Sequence, residues 1–436
     1  MDVGRPAVHS SAGVAVPLPR GAKPVASRAT GRRLFFAALI LAAAMPVEIA
    51  EGVPIVNSLS ILDVLLIVGA LTLILDLAYR PLDLGYPHLF WILCVPLAAS
   101  LVSVVWSQDR SATVRIAFIT AEGVVAYLLA VRELDGLSPA RIVTFIRRYA
   151  YLLIIPGVLL LLHVPGFEPQ VTGVKESSGE YISYFTRFSH PVLGRSNNLA
   201  TVLAFLAPIL LYWGHIYRDR RATIAGFVTV LAIFATLSRG TLVAFALAGL
   251  VYAAVSPKNR DERGSGFGSK IASAVILGAL AVVLLYTFNP ATREFFHDRL
   301  TLANVSGRSE LLSVGVEKFG ERPLLGYGAG VAPDGDPTLG EGVHNTYLQQ
   351  VLSFGLTLGI VVGLALCATA IFFLARQRGS RLAGVIGYAV LVQLGIFLFE
   401  ASFEGSVLRV LFYLSMGLSV ALLRAVERET ALPARE

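Results

Sequence analysis

Apolar positions in this chain do not alternate with polar ones as they would along a half-buried strand. They come in long runs separated by short polar clusters. The runs predicted to be helices are Leu34–Ala50, Ile55–Ala78, His88–Trp106, Ala112–Val131, Tyr149–Val164 and Leu199–Ile216, then Thr223–Leu237, Leu242–Val255, Ile271–Phe288, Leu348–Ala375, Leu382–Phe399 and Val407–Leu423. Several reach the ~17 to 25 residues that cross a bilayer as a helix. Lipid offers a backbone no hydrogen bonds, so each crossing segment has to satisfy its own. The expected fold is an all-α membrane protein with about 12 transmembrane helices and a long outer loop between helices 9 and 10.

The polar segments set the organisation. Residues 1–33, rich in Pro, Ala, Ser and Arg, are expected to form a disordered cytoplasmic tail. Residues 34–425 are expected to form the polytopic domain, with outer loops at 165–198 and 289–345 that the resemblance given below would place in the periplasm, and 426–436 a cytoplasmic C-terminal tail. Arg32-Arg33-Leu34-Phe35-Phe36 faintly resembles a twin-arginine export signal. A basic flank before the first helix is the preferred reading, because a cleaved signal is not followed by so many further spans. With the N-terminus inside, Lys and Arg favour the inside segments by about two to one. Both termini are then cytoplasmic. Loops as long as the two outer ones are uncommon in a compact bundle unless they are functional.

Composition agrees with this picture. The chain is 55% hydrophobic and 15% charged, against roughly 25% charged in soluble domains. The net charge of +7 follows from topology and requires no nucleic acid. Cys94 and Cys367 fall inside apolar runs and read as small core residues.

Three polar constellations interrupt the runs. Thr223–Val255 holds 33 residues, and one helix of that length would measure about 50 Å against a core of about 30 Å. Two short helices joined at Ser238-Arg239-Gly240 fit better, with the turn recessed below the outer surface. Arg239 would then lie in or near the low-dielectric zone, where a charge is a functional candidate. An arginine snorkelling to the headgroups is the plainer alternative. The second constellation is Ser306-Gly307-Arg308-Ser309-Glu310, leading to a short amphipathic helix that ends at Gly320. Arg308 is expected at its N-terminal end, where free N–H groups favour an anion; a solvated surface charge is equally compatible. The third is His344-Asn345-Thr346-Tyr347. Asn345 can cap the long helix that follows, and His344 is of the type suited to proton transfer near neutral pH, or is simply interfacial.

Arg187, His190 and Arg195 could add positive charge from the first long loop, and Glu400 and Glu404 flank a short outer turn. His163 and His215 sit at helix ends and read as structural. No phosphate-binding glycine loop, zinc spacing or nucleophile elbow is present in the sequence. No metal and no cofactor are expected.

In this order the constellations resemble the O-antigen ligase and Wzy-type O-antigen polymerase superfamily of membrane glycosyltransferases. The residues that carry the resemblance are Ser238-Arg239-Gly240, Gly307-Arg308, Pro323-Leu324-Leu325-Gly326-Tyr327-Gly328, and His344-Asn345-Thr346-Tyr347-Leu348 followed by Gly355 and Gly359. It covers roughly Leu199 to Leu374. The family implies a GT-C-like enzyme of the bacterial inner membrane with a periplasmic active site. Such an enzyme moves a glycan from an undecaprenyl-pyrophosphate carrier to a sugar hydroxyl, on lipid A core or on a growing O-antigen or exopolysaccharide chain, without metal or nucleotide sugar. Its partners are that lipid-linked donor, the acceptor and membrane lipids. The resemblance assigns Arg239 and Arg308 to the pyrophosphate and His344 to the acceptor hydroxyl; Arg187, Arg195, Asn345, Tyr347 and Glu404 are read as supporting residues from their positions in the chain alone. Many relatives place a Trp a few residues after the arginine at 308, where this chain has Leu311 and Leu312. Ligase and polymerase are not separated by these motifs. A transporter or flippase for lipid-linked saccharides is the competing reading, but such folds usually show internal repeats and midplane polar residues, and here the polar groups gather near the outer face.

Overall fold

The computed structural model describes residues 26–44, 48–53, 57–79, 81–161, 196–236, 238–255, 303–331, 345–398 and 406–431, with 280, 283 and 287. Twelve helices and one hairpin are named in these residues. They are α1 (Ala26–Ala44), β1 (Glu48–Val53), β2 (Asn57–Ser60), α2 (Ile61–Leu77), α3 (Pro87–Ser103), α4 (Arg110–Leu134), α5 (Pro139–Leu161), α6 (Ser196–Ile216), α7 (Arg220–Ala235), α8 (Arg239–Val255), α9 (Ala303–Glu321), α10 (Thr346–Ala375), α11 (Arg381–Phe397) and α12 (Ser406–Ala431). Every expected span except the ninth, Ile271–Phe288, is therefore present as a helix; that ninth span lies outside the described residues, apart from single positions. Among the described residues, five helices are long and apolar enough to cross a membrane.

Helix boundaries follow local chemistry more than hydropathy. α1 begins at Ala26, inside the stretch read as tail, and ends at Ala44, two residues before Pro46, so the expected helix to Ala50 gives way to an antiparallel β1–β2 pair. α5 starts at Pro139, ten residues before the apolar run, because proline suits the first helical position. α2 opens with a capping box: Asp63 N donates to Ser60 Oγ at 3.2 Å and Ser60 N to Asp63 Oδ2 at 2.6 Å. Asp109 and Asp219 cap α4 and α7 by side-chain acceptance alone, from Ala112 N and from Arg221 N and Ala222 N.

α4 packs along α12, α6 along α7, and α11 against α6, α8 and α10. With little hydrophobic drive between helices in lipid, close approach depends on small residues. A Cβ built at Gly123 would lie 2.5 Å from the Tyr413 ring, and one at Gly417 would lie 2.7 Å from both Tyr127 O and Ala130 Cβ. Gly417→Val should therefore destabilise the α4–α12 pair by roughly 1–3 kcal/mol, the usual cost of overpacking. A fall in the thermal midpoint in detergent is the measurement, and an unchanged midpoint would refute this packing.

One end of the bundle gathers paired charges. Arg132 meets Asp76 at 2.5 Å, Arg424 meets Asp83 at 2.7 Å, and Arg428 meets Asp135. Tyr86 donates to Glu427 at 2.6 Å, and Arg376 lies over the Tyr86 and Phe372 rings. The described start of α1 and the end of α12 belong to this end.

Candidate functional site

The opposite end carries the sequence constellations. α7 and α8, of 16 and 17 residues, are two helices divided at Thr236–Ser238, as the length of the apolar stretch requires. Hydroxyls hold the turn inside the protein. Thr236 Oγ1 donates to Ile233 O at 2.6 Å and accepts from Ser238 N at 3.3 Å. Ser238 Oγ and Thr241 Oγ1 lie 2.9 Å apart, and both residues are buried. Ser238 O accepts from Leu242 N, so Arg239 is the first residue of α8.

The C-terminal turns of α11 draw three other helix starts together. Ala244, early in α8, faces Gly395, where an added Cβ would lie 2.9 Å from the Ala244 Cβ. Asn345 Oδ1 caps α10 by accepting from Leu348 N at 3.0 Å, while its Nδ2 donates to Leu398 O at 3.0 Å. Tyr347 OH donates to Leu394 O at 3.0 Å. Buried Gln393 donates to Thr201 O of α6, five residues into that helix. The start of α8 that bears Arg239 and the start of α10 that follows His344 thus share one partner.

The Pro323–Val331 segment is a strap between two elements. On one side it pairs with a break in α10: Tyr327 N donates to Leu352 O and Gly328 N to Ser353 O, both at 2.9 Å, and Leu356 N donates to Pro323 O at 2.7 Å. The break is at Gly355, with φ 69° and ψ 179°. On the other side the strap meets the α3–α4 connection. Gln108 N donates to Tyr327 O at 3.1 Å, Trp106 Nε1 to Leu325 O at 2.6 Å, and Thr113 Oγ1 to Ala329 O at 3.0 Å. Tyr327 OH reaches Lys318 O and Glu321 Oε2 at 3.0 and 2.8 Å, tying α9 to the strap. Hydrogen bonds from Lys318 first and Tyr327 second hold the Glu321 carboxyl below its usual range, so it stays charged and accepting.

Arg308 departs from its expected place. α9 starts at Ala303, so Arg308 is its sixth residue and not at the N-terminal end. Ala303-Asn304-Val305-Ser306 carries no proline, and one glycine at 307 costs a helix only about 1 kcal/mol. The first free N–H groups therefore belong to residues before Arg308. Its side chain and that of Arg239 lie outside the described residues, as do Arg187, Arg195, His344 and Glu404 altogether.

Sequence reasoning missed Arg409. It is 4% exposed, the fourth residue of α12, near the start of the apolar run Val407–Leu423. Its Nη1 donates to Thr120 Oγ1 at 2.5 Å and Ile116 O at 3.3 Å of α4. With Gln350 and Ser353 of α10 and Ala329 of the strap it lines a cavity of about 10 Å³, room for about one water. A charge inside a span is the signal that could have found it.

Residues 224–363 match the family model described as O-Antigen ligase. The match takes in Arg239, Arg308 and His344, the strap and the broken part of α10. No curated protein matches the chain. Across the α7–α8 turn, α9, the strap and the head of α10, the chain is therefore similar to the O-antigen ligase family.

Proposed function

We propose that the protein is a glycosyltransferase that moves a glycan from an undecaprenyl-pyrophosphate donor to a sugar hydroxyl of lipid A core, or of a growing O-antigen or exopolysaccharide chain. The carrying observation is the convergence of the α8 start and the α10 start on the last turns of α11. In the proposed reaction the acceptor oxygen bonds to the anomeric carbon as the carbon–oxygen bond to pyrophosphate breaks. The acceptor proton passes to His344, acting as base or positioning group. Arg239 and Arg308 offset the charge that develops on the leaving pyrophosphate, with no metal and no nucleotide sugar. Arg187, Arg195, Asn345, Tyr347 and Glu404 support that site.

The orientation we propose puts the paired-charge end in the cytoplasm, with about twelve spans in the bacterial inner membrane and the site facing the periplasm. The lysine and arginine bias supports it. So does the shared end of the described α1 start and α12 end. Residues 289–345, which include α9 and the strap, are then the long periplasmic segment between the ninth and tenth spans.

Purified protein given a defined undecaprenyl-pyrophosphate glycan and separate acceptors tests the reading. Transfer to lipid A core identifies a ligase, and extension of a second lipid-linked glycan identifies a polymerase. Transfer to neither, with donor moving across proteoliposomes, would replace the enzyme with a flippase.

A further inference from the structure

At the paired-charge end, the arginines of α4 and α12 meet carboxylates: Arg132 with Asp76, Arg424 with Asp83, Arg428 with Asp135. The arginines of α5 do not, among the described residues. The side chains of Arg141 and Arg148 have no ion pair and no hydrogen-bond partner among the described residues, while both line a pocket of about 390 Å³ with Leu137, Thr144 and Phe145. Thr144 turns its hydroxyl back to Ala140 O at 2.9 Å, leaving the guanidiniums as the pocket's unspent donors.

The depth of these arginines is fixed by a ring contact. Phe145 meets Phe36 of α1 edge-on at 6.2 Å, and Phe36 lies two residues inside the apolar run that starts at Leu34. Arg148 is three residues further along α5, about 4.5 Å deeper. A charge at that depth needs an anion or must reach back to the headgroups. Arg141, Arg148 and Ile155 are spaced by seven residues, so all three share one face of α5. Ile155 is 50% exposed. The face therefore reads, from the membrane surface inward, guanidinium, apolar wall, guanidinium and exposed aliphatic side chain.

We propose that this face of α5 is a binding site for one anionic phospholipid, its phosphodiester held between Arg141 and Arg148 and an acyl chain lying along Phe145 and Ile155. The aliphatic continuation commits the site to a lipid instead of free phosphate. Basic pockets at helix ends hold such headgroups through charge-assisted contacts. The site lies at the opposite end from Arg239 and does not depend on the glycan reaction.

Native mass spectrometry of the full chain, titrated with phosphatidylglycerol and with phosphatidylcholine of the same acyl chains, tests it. Wild type should retain phosphatidylglycerol in preference. Arg141→Gln with Arg148→Gln should weaken that retention by about fivefold per arginine, about twenty-five-fold for the pair. Both side chains are exposed, so the thermal midpoint should not move, and Arg141→Lys with Arg148→Lys should keep most of the preference. Equal retention of the two lipids, undiminished retention in the glutamine variant, loss in the lysine variant, or displacement by equimolar glycerophosphate would each overturn the proposal.

Discussion

Gly355→Ala is expected to detach the strap from α10 and destabilise the protein by about 3 kcal/mol or more. The backbone at 355 has φ 69° and ψ 179°, a region open to glycine almost alone. A methyl group there would also lie 2.1 Å from Leu324 O and 2.5 Å from Leu325 N. Both are backbone atoms, so no side-chain rotation relieves the contact. Moving the strap breaks the bonds from Tyr327 N, Gly328 N and Leu356 N, and these hold the break in α10 closed. Gly326 faces the same junction from the other side, with φ 68° and a virtual Cβ 2.4 Å from Leu352 O, so Gly326→Ala should act alike. Gly363→Ala is the control within the same helix, since a Cβ there meets only the Tyr347 ring at 4.0 Å. The readouts are the thermal midpoint in detergent and protease cutting between 303 and 331. A Gly355→Ala protein as stable and as resistant as Gly363→Ala would sink the strap.

This junction shows what a linear reading reaches. The break between α7 and α8 is legible because two lengths, the apolar stretch and the bilayer, conflict. The Asn345 cap and the end of the outer helix near Gly320 are legible because capping and helix-stop chemistry are local. The glycines of the strap mark an irregular segment, but the segment's partner lies some 25 residues further along, and no local signal names it. Averaging over a hydropathy window hides single charges in both directions. It starts α5 ten residues late because Arg141, Arg147 and Arg148 depress the mean although helical bonding continues. It also passes over Arg409, whose neighbours are apolar enough to outweigh it. The hairpin Glu48–Ser60 is missed for a related reason: its moderate hydropathy extends the flanking helices on paper, while Pro46 forbids one of them to continue. Arg308 lies in the second turn of α9 and not at its head, because the helix tolerates Gly307 and extends back to Ala303.

His344→Ala is expected to lower glycan transfer by roughly 10²- to 10⁴-fold, the range for loss of a positioned acid–base group, while the protein still inserts and folds. The fold should survive because α10 is capped by Asn345 and anchored by Tyr347, whose bonds to Leu348 N, Leu398 O and Leu394 O do not involve the histidine. Asn345→Ala makes the contrasting case. It removes the cap and the tie to α11, so it should lower stability by about 1 kcal/mol and loosen the site without removing its base. Arg239→Ala should depress transfer by roughly 10²- to 10³-fold, as for removal of one group that stabilises transition-state charge. Arg239→Lys should restore only part of it, because an ammonium cannot grip a phosphate with two parallel N–H bonds. Undecaprenyl-linked glycan accumulating in membranes of the His344 and Arg239 variants is the measurement. Normal product from both, with wild-type levels of protein in the membrane, would remove these two residues from the reaction. It would leave the convergence at α11 as architecture alone, whereas loss of product in the arginine variant only would keep the pyrophosphate site and reassign the acceptor proton to another group.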